Sequence, residues 1–250
     1  MPRTPALPPN AALRWSVVRR LVDGLAPESI LEIGCGKGAF GARLASTARY
    51  LGIEPDPTSF AVARDRIEVL GGVVRNHTSD DLEAASVFDL VCAFEVLEHL
   101  EDDGSALAAW HDLVAPSGHI LLSMPAWQER FNEWDALVGH YRRYSPEQAE
   151  RALLAAGFVD VRSVVYGWPL GYALEAVRGR IAAGRGVADE NGAAPSMQER
   201  TAGSGRILQP RAMVGRAAQV GVAPFVGLQR LRPTRGTGIV VLARRPAAAS

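Results

Sequence analysis

Two carboxylates and an imidazole stand close together at Glu95, Glu98 and His99. If the segment is helical, positions i, i+3 and i+4 bring all three onto one face. Such a set can hold Mg²⁺ or, with the histidine, Zn²⁺ or Mn²⁺. Two plainer readings stay open. Glu95 and Glu98 can be helix N-terminal acids facing water, favoured there by the helix dipole. His99 can be a base that works without metal, since its reference pKa of ~6.5 suits proton removal near neutral pH. The metal-free reading is carried forward, with Glu95, Glu98 and His99 as the alternative cation set and His140 as the next candidate base. His140 belongs to a second cluster, in which Trp127, Trp134, Tyr141 and Arg142 suggest an aromatic wall with a positive rim. That wall suits a flat or apolar compound bearing a phosphate or carboxylate. Tandem arginines can equally pair with surface acids.

A third constellation fixes where such chemistry would sit. From Ser29 to Gly38 the chain reads S-I-L-E-I-G-C-G-K-G. Ile30, Leu31 and Ile33 form a short apolar run suited to a buried parallel strand, and Gly34, Gly36 and Gly38 follow at once. A strand that breaks through glycines toward a helix makes a loop that can lie against a ligand. Gly36, Gly38 and Gly41 satisfy the G-x-G-x-x-G of dinucleotide folds, but Glu32 would serve an anionic pyrophosphate poorly. A carboxylate there favours a cationic ligand, such as the ammonium and sulfonium of S-adenosyl-L-methionine. Glu54, 16 residues beyond Gly38 at the tip of the next strand, can accept hydrogen bonds from ribose hydroxyls.

The E-x-G-x-G-x-G pattern at Glu32 to Gly38 resembles the first motif of class I S-adenosylmethionine-dependent methyltransferases. Phe88-Asp89-Leu90-Val91 followed by Glu95 to Leu100 (E-V-L-E-H-L) is similar to the fourth strand and following segment of their small-molecule members. The resemblance covers about residues 28–166 and a last strand at about 236–244. It implies a Rossmann-like, doubly wound α/β fold: a mostly parallel seven-stranded sheet, helices on both faces, and an antiparallel last strand. It also implies an enzyme that moves a methyl group to an oxygen of a small or lipid-linked acceptor, leaving S-adenosyl-L-homocysteine. The cofactor would lie along Glu32, Gly34, Cys35, Gly36, Gly38, Glu54 and Pro55. Ser79 and Asp80 would hold adenine, with Asp81 as the alternative by one register, and Phe94 and Glu95 would complete the site. Trp127, Trp134, His140, Tyr141 and Arg142 would then lid the acceptor. E-x-x-E-H is similar to the segment that ubiquinone-pathway O-methyltransferases use for a divalent cation. The alternatives are an NAD-dependent Rossmann oxidoreductase and a non-catalytic S-adenosylmethionine-binding protein.

Elements to carry these residues alternate along the chain. Ala11 to Leu25 reads as an amphipathic helix with Leu13, Val17, Val18, Leu21 and Val22 on its face and Arg14 and Arg19 outside it. Tyr50 to Ile53 is a strand, Ser59 to Leu70 a helix, Gly72 to Arg75 a strand, and Phe88 to Phe94 a strand. A helix over Leu107 to Val114, a turn at Pro116-Ser117-Gly118 and a strand from His119 to Met124 follow. Ser145 caps a helix from Pro146 to Ala156, and a strand runs to about Tyr166. Leu170 to Ile181 reads as a helix, Ala183 to Gly205 as a mobile loop, and Met213 to Leu231 as a core-covering helix broken at Pro224.

Composition bounds the rest. The 250 residues are 48% hydrophobic, enough for a full core, and read as a single domain over 1–250 with a variable insertion at 167–235. No signal peptide or transmembrane run is expected. Two cysteines, Cys35 and Cys92, suggest reduced buried thiols in a cytoplasmic protein. The formal net charge is zero, yet residues 167–250 hold 12 of the 27 basic side chains against 4 acidic ones. That arginine-rich part could touch an anionic membrane surface, although a solvated surface is the default. Nucleic acid is not an expected partner, because the Asn/Asp-Pro-Pro-Tyr/Phe segment of nucleobase amino-methyltransferases is missing after the fourth strand.

Overall fold

The computed structural model describes residues 4–83, 86–184 and 221–248. Seven strands form one sheet: β1 (Ser29–Ile33), β2 (Arg49–Ile53), β3 (Val73–Arg75), β4 (Phe88–Phe94), β5 (Val114–Pro125), β6 (Val159–Gly167) and β7 (Gly236–Arg244). Their spatial order is β3-β2-β1-β4-β5-β7-β6. β1 pairs in parallel with β2 and β4, β2 with β3, and β4 with β5. β7, last in the chain, inserts between β5 and β6 and runs antiparallel to both. The order reverses between β1 and β4, so the carboxyl ends of these two strands flank the crevice where open α/β sheets bind ligands.

Both faces of the sheet are covered, and so the strands read as continuous apolar runs. Ile30, Leu90, Cys92, Leu121 and Val240 point to one face, under α1 (Pro9–Leu25) and α3 (Pro57–Ile67). Leu31, Val91, Ile120, Leu122 and Val241 point to the other, under α4 (Asp103–Leu113) and α6 (Pro146–Ala155). Caps fix the helix starts: Asp56 accepts from Ser59 N at 2.9 Å, Asp102 from Ser105 N at 2.9 Å, and Ser145 from Gln148 N at 3.2 Å. Each satisfies an otherwise orphaned N–H.

Several boundaries differ from the sequence reading. The helix after the glycines, α2 (Gly41–Leu44), is one turn long. Ser46 and Thr47 end it by donating their hydroxyls to the carbonyls of Arg43 and Leu44, as short polar side chains do. β5 begins at Val114, and the Pro116-Ser117-Gly118 turn is a register shift inside its pairing with β4. The chain stays helical over 221–228, through Pro224. Val222 there is buried in the core, and Gln229 ties the stretch to α1 by donating to Leu13 O at 3.1 Å. The expected loop over Ala183 to Gly205, from position 185 on, and the expected helix over 213–220 lie outside the described residues. α5 (Glu133–Val138) and α7 (Leu170–Ala183) complete the helices used below. No helix among the described residues is long and apolar enough to cross a membrane.

Candidate active site

A cavity of about 1360 Å³ opens at the carboxyl ends of β1, β2 and β4. At its inner end the chain leaves β1 through Gly34, Gly36 and Gly38, with φ of 65°, 55° and 72°, backbone that glycine adopts without a Cβ penalty. The three serve different ends. A Cβ on Gly38 would lie 3.0 Å from the backbone of Ala63, and one on Gly34 2.8 Å from Val96 Cγ2. A Cβ on Gly36 would meet nothing within 4 Å, because it would project into the cavity that Gly36 lines. Gly38 is therefore a packing glycine under α3, and Gly36 is the one whose bare backbone faces ligand space.

Two carboxylates frame this end. Glu32 is buried and accepts a 2.6 Å hydrogen bond from the Tyr50 hydroxyl. Burial pushes its pKa up to about 8, against the opposing pull of that hydrogen bond. Glu54 accepts from Gly36 N at 2.7 Å and from Asp56 N at 3.0 Å. Burial raises its pKa too, and the two backbone donors resist the rise. Cys35, Pro55, Ser79, Asp80, Phe94 and Glu95 also line the cavity. Asp81 does not: its carboxylate accepts from Thr78 N at 2.7 Å, which leaves Asp80 as the acid on the cavity.

The outer end is built differently from the sequence reading. Glu95 has φ 58°, and only Leu97–His99 form a turn of 3₁₀ helix. The expected shared helical face of Glu95, Glu98 and His99 is therefore absent. Glu95 turns to Arg14, 2.7 Å away, and accepts from Ser123 Oγ. Burial opposes its charge, but Arg14 and then His140 hold its pKa below the usual range. Among the described residues, the set whose ligand atoms converge within 4.8 Å is Glu98, His99 and His140. Glu98 is fully buried with neither carboxylate oxygen hydrogen-bonded. Burial, then the charge of Glu95, pushes its pKa well up. His99 Nδ1 lies 3.0 Å from Gly139 O, and its ring meets that of His140 edge-on at 4.7 Å. Burial and His140 lower its pKa to about 4.

His140 stands in a stronger arrangement. Its Nδ1 donates to Asp135 Oδ1 at 2.7 Å, which leaves Nε2 as the acceptor nitrogen of the ring. Asp135 is 1% exposed and also accepts from Asn132 N and from Arg143 Nε, each at 2.9 Å. Burial raises its pKa, but the hydrogen bonds from His140 and Arg143 outweigh that and hold it down. Arg143 is itself buried and reaches Glu175 on α7, which also pairs with Arg130.

Of the residues expected around an acceptor, Trp134, His140 and Tyr141 line the cavity, and Trp127 and Arg142 do not. Trp127 donates Nε1 to Gly236 O at 3.0 Å and borders a separate cleft with Arg130, Trp168 and Tyr172. Arg142 turns outward to Asp103 at 2.8 Å and to Glu101 O, the surface pairing that tandem arginines often make. Arg14, Asp135, Arg143, Glu175 and Arg178 all line the cavity and had no role in the sequence reading. For Arg14 the signal was present: it lies three and four residues before Val17 and Val18, on the buried face rather than outside it.

Comparison with known proteins agrees with this layout. A family model for a methyltransferase domain matches residues 11–163. The ubiquinone biosynthesis O-methyltransferase of Pseudomonas aeruginosa (strain UCBPP-PA14) is 37% identical over 105 residues, 40% of this chain and 45% of that one. The ubiquinone biosynthesis O-methyltransferase of Methylobacterium sp. (strain 4-46) is 31% identical over 174 residues, 58% of this chain and 68% of that one. In general the chain spans about half the length of the curated relatives it matches. The N-methyltransferase NodS from Bradyrhizobium japonicum WM9, solved with S-adenosyl-L-homocysteine, superposes with a TM-score of 0.57 at 18% identity. That superposition covers 93% of this chain and 86% of the other, a likeness of fold.

Proposed function

The chain belongs to the methyltransferase domain family, and on that premise we propose that it transfers a methyl group from S-adenosyl-L-methionine to an oxygen of a small-molecule acceptor. One observation carries this reading: a single cavity joins the Glu54 carboxylate and the open face of Gly36 to the Asp135–His140 pair. The inner end fits the cofactor. Glu54 offers a carboxylate for ribose hydroxyls, Asp80 one for an exocyclic amine, and Glu32 one for an ammonium. When bound, the cofactor supplies an already electrophilic methyl. The chain's task is then alignment, exclusion of water and removal of one proton. His140 Nε2 takes the acceptor's hydroxyl proton, and the buried Asp135 carboxylate stabilises the imidazolium that results.

The cavity exceeds the ~300–1,000 Å³ of most ligand sites, so its 1360 Å³ leaves room for a bulky or lipid-linked acceptor beside the cofactor. With such an acceptor, the arginine-rich C-terminal part would rest against an anionic membrane surface. Buried, unpaired Cys35 and Cys92 support a cytoplasmic setting. Incubation with methyl-labelled S-adenosylmethionine and a panel of phenols tests the function. Label in a methyl ether that depends on His140 supports it, and label in no acceptor while the cofactor binds would leave a binding protein.

A second reading rests on Glu98. Its two buried, unbonded oxygens beside His99 and His140 are groups that a divalent cation would satisfy, and the mixed carboxylate–imidazole set fits Zn²⁺ or Mn²⁺ better than Mg²⁺. Dialysis against EDTA separates the two. Activity that disappears and returns with added cation favours this second reading, and activity indifferent to EDTA leaves His140 as the base.

A further inference from the structure

The outer end of the cavity holds a cation that its neighbours among the described residues do not neutralise. Arg14 is paired with Glu95, Arg143 with Asp135 and Glu175, and Arg130 with Glu175. Arg178 is different. It comes from α7, three residues beyond Glu175, and lines the cavity with its guanidinium carbon 5.9 Å from the Trp134 ring centroid. Among the described residues it has no acid within ion-pair distance. Burial weakens its hold on the proton, and Glu95 and Glu175, each already paired, offset this only from further away. A guanidinium drawn out of water with no acid among the described residues to pair it is unfavourable, and an anion entering from the cavity would relieve that.

We propose that Arg178 and Trp134 form the anion-receiving subsite of the acceptor, so that the acceptor is a hydroxylated aromatic compound bearing a carboxylate. The guanidinium presents a planar fork that matches a carboxylate in two parallel hydrogen bonds. Trp134 supplies a flat apolar face beside it, and His140 at the same end supplies the group that faces the hydroxyl. The positive rim expected at Arg142 thus moves to α7, at the outer end of the cavity. Two contacts rather than one fix the ring, which is what alignment of a phenolic oxygen requires. The identity of the neighbouring site rests on the methyltransferase reading.

The test uses the full chain saturated with S-adenosyl-L-homocysteine, with 4-hydroxybenzoate and its neutral isostere 4-hydroxybenzamide as probes in equilibrium dialysis. Wild type should bind the acid at least tenfold more tightly than the amide. Arg178→Gln should lose that preference, with acid affinity down at least tenfold and amide affinity unchanged, while the affinity for S-adenosyl-L-homocysteine stays within twofold. Equal binding of acid and amide by wild type, or acid affinity untouched in Arg178→Gln, overturns the subsite. The acid–amide comparison needs no variant, so a misfolded Arg178→Gln protein does not rescue the proposal. If wild type fails to bind S-adenosyl-L-homocysteine at all, the methyltransferase reading fails instead.

Discussion

Adding one methyl group at Gly36 should weaken cofactor binding at little cost to the fold, and adding it at Gly38 should do the reverse. Both glycines have positive φ, 55° and 72°, so alanine costs ~1–2 kcal/mol of backbone strain at either position. They differ in what the new Cβ meets. At Gly36 nothing lies within 4 Å, and at Gly38 Ile67 Cδ1 is 2.9 Å away and the Ala63 backbone 3.0 Å. Overpacking of that kind adds ~1–3 kcal/mol, for a total of roughly 2–5 kcal/mol at Gly38. A chain of this size loses ~2–4 °C of Tm per kcal/mol. Gly36→Ala should therefore melt within ~8 °C of wild type, and Gly38→Ala clearly lower. For binding the ranking inverts. The Gly36 methyl would occupy ligand space, and the same ~1–3 kcal/mol of overpacking weakens affinity by roughly 5- to 150-fold. Gly38→Ala, measured below its melting range, should bind within about threefold of wild type, because its Cβ points at α3. Thermal melts and calorimetry with S-adenosyl-L-homocysteine read both quantities. Undiminished affinity in Gly36→Ala, or a Gly36→Ala protein less stable than Gly38→Ala, would refute the division of roles.

Three further outcomes follow from the same geometry. Because burial lifts Glu32 to about 8, the free protein holds this carboxyl protonated at pH 7. A ligand ammonium beside it should drive ionisation, so binding should release a proton, seen as buffer-dependent heats that vanish in Glu32→Gln. The raised pKa also means that this group's contribution to stability is present below ~4.3 and is lost as pH rises through about 8. A free protein whose Glu32→Gln variant shows the same pH slope would contradict that. His140→Gln should lower turnover by ~10²–10⁴-fold with cofactor affinity unchanged, and His99→Gln should cost less. Arg142→Ala should leave acceptor and cofactor binding alone and cost ~0.2–1 kcal/mol of stability, as a surface ion pair does.

Much of this was legible in the chain because local chemistry and tertiary role coincided. At Glu32 to Gly38 the strand, the glycines and the carboxylate all served one turn, and Ser145 and Pro146 began their helix as capping chemistry requires. Legibility failed where the role depended on distant partners. Helical spacing grouped Glu95 with Glu98 and His99, but the positive φ of Glu95 sends it to Arg14, 81 positions earlier in the sequence. Nothing local to Asp135 marks its role, because that role comes from His140 and Arg143 folding back on it. Arg142 and Arg143 are adjacent and alike in sequence. Which of them faces inward is settled by Asp135 and Glu175 on one side and Asp103 on the other.

The cavity takes S-adenosylmethionine rather than a dinucleotide, and we propose Glu54 as the partner of its ribose. Calorimetric titration of wild type and Glu54→Ala with S-adenosyl-L-homocysteine, alongside NADH, tests it directly. Wild type should show one site per chain for S-adenosyl-L-homocysteine, Glu54→Ala at least tenfold weaker binding, and neither protein any heat with NADH. Binding of NADH without binding of S-adenosyl-L-homocysteine would contradict it.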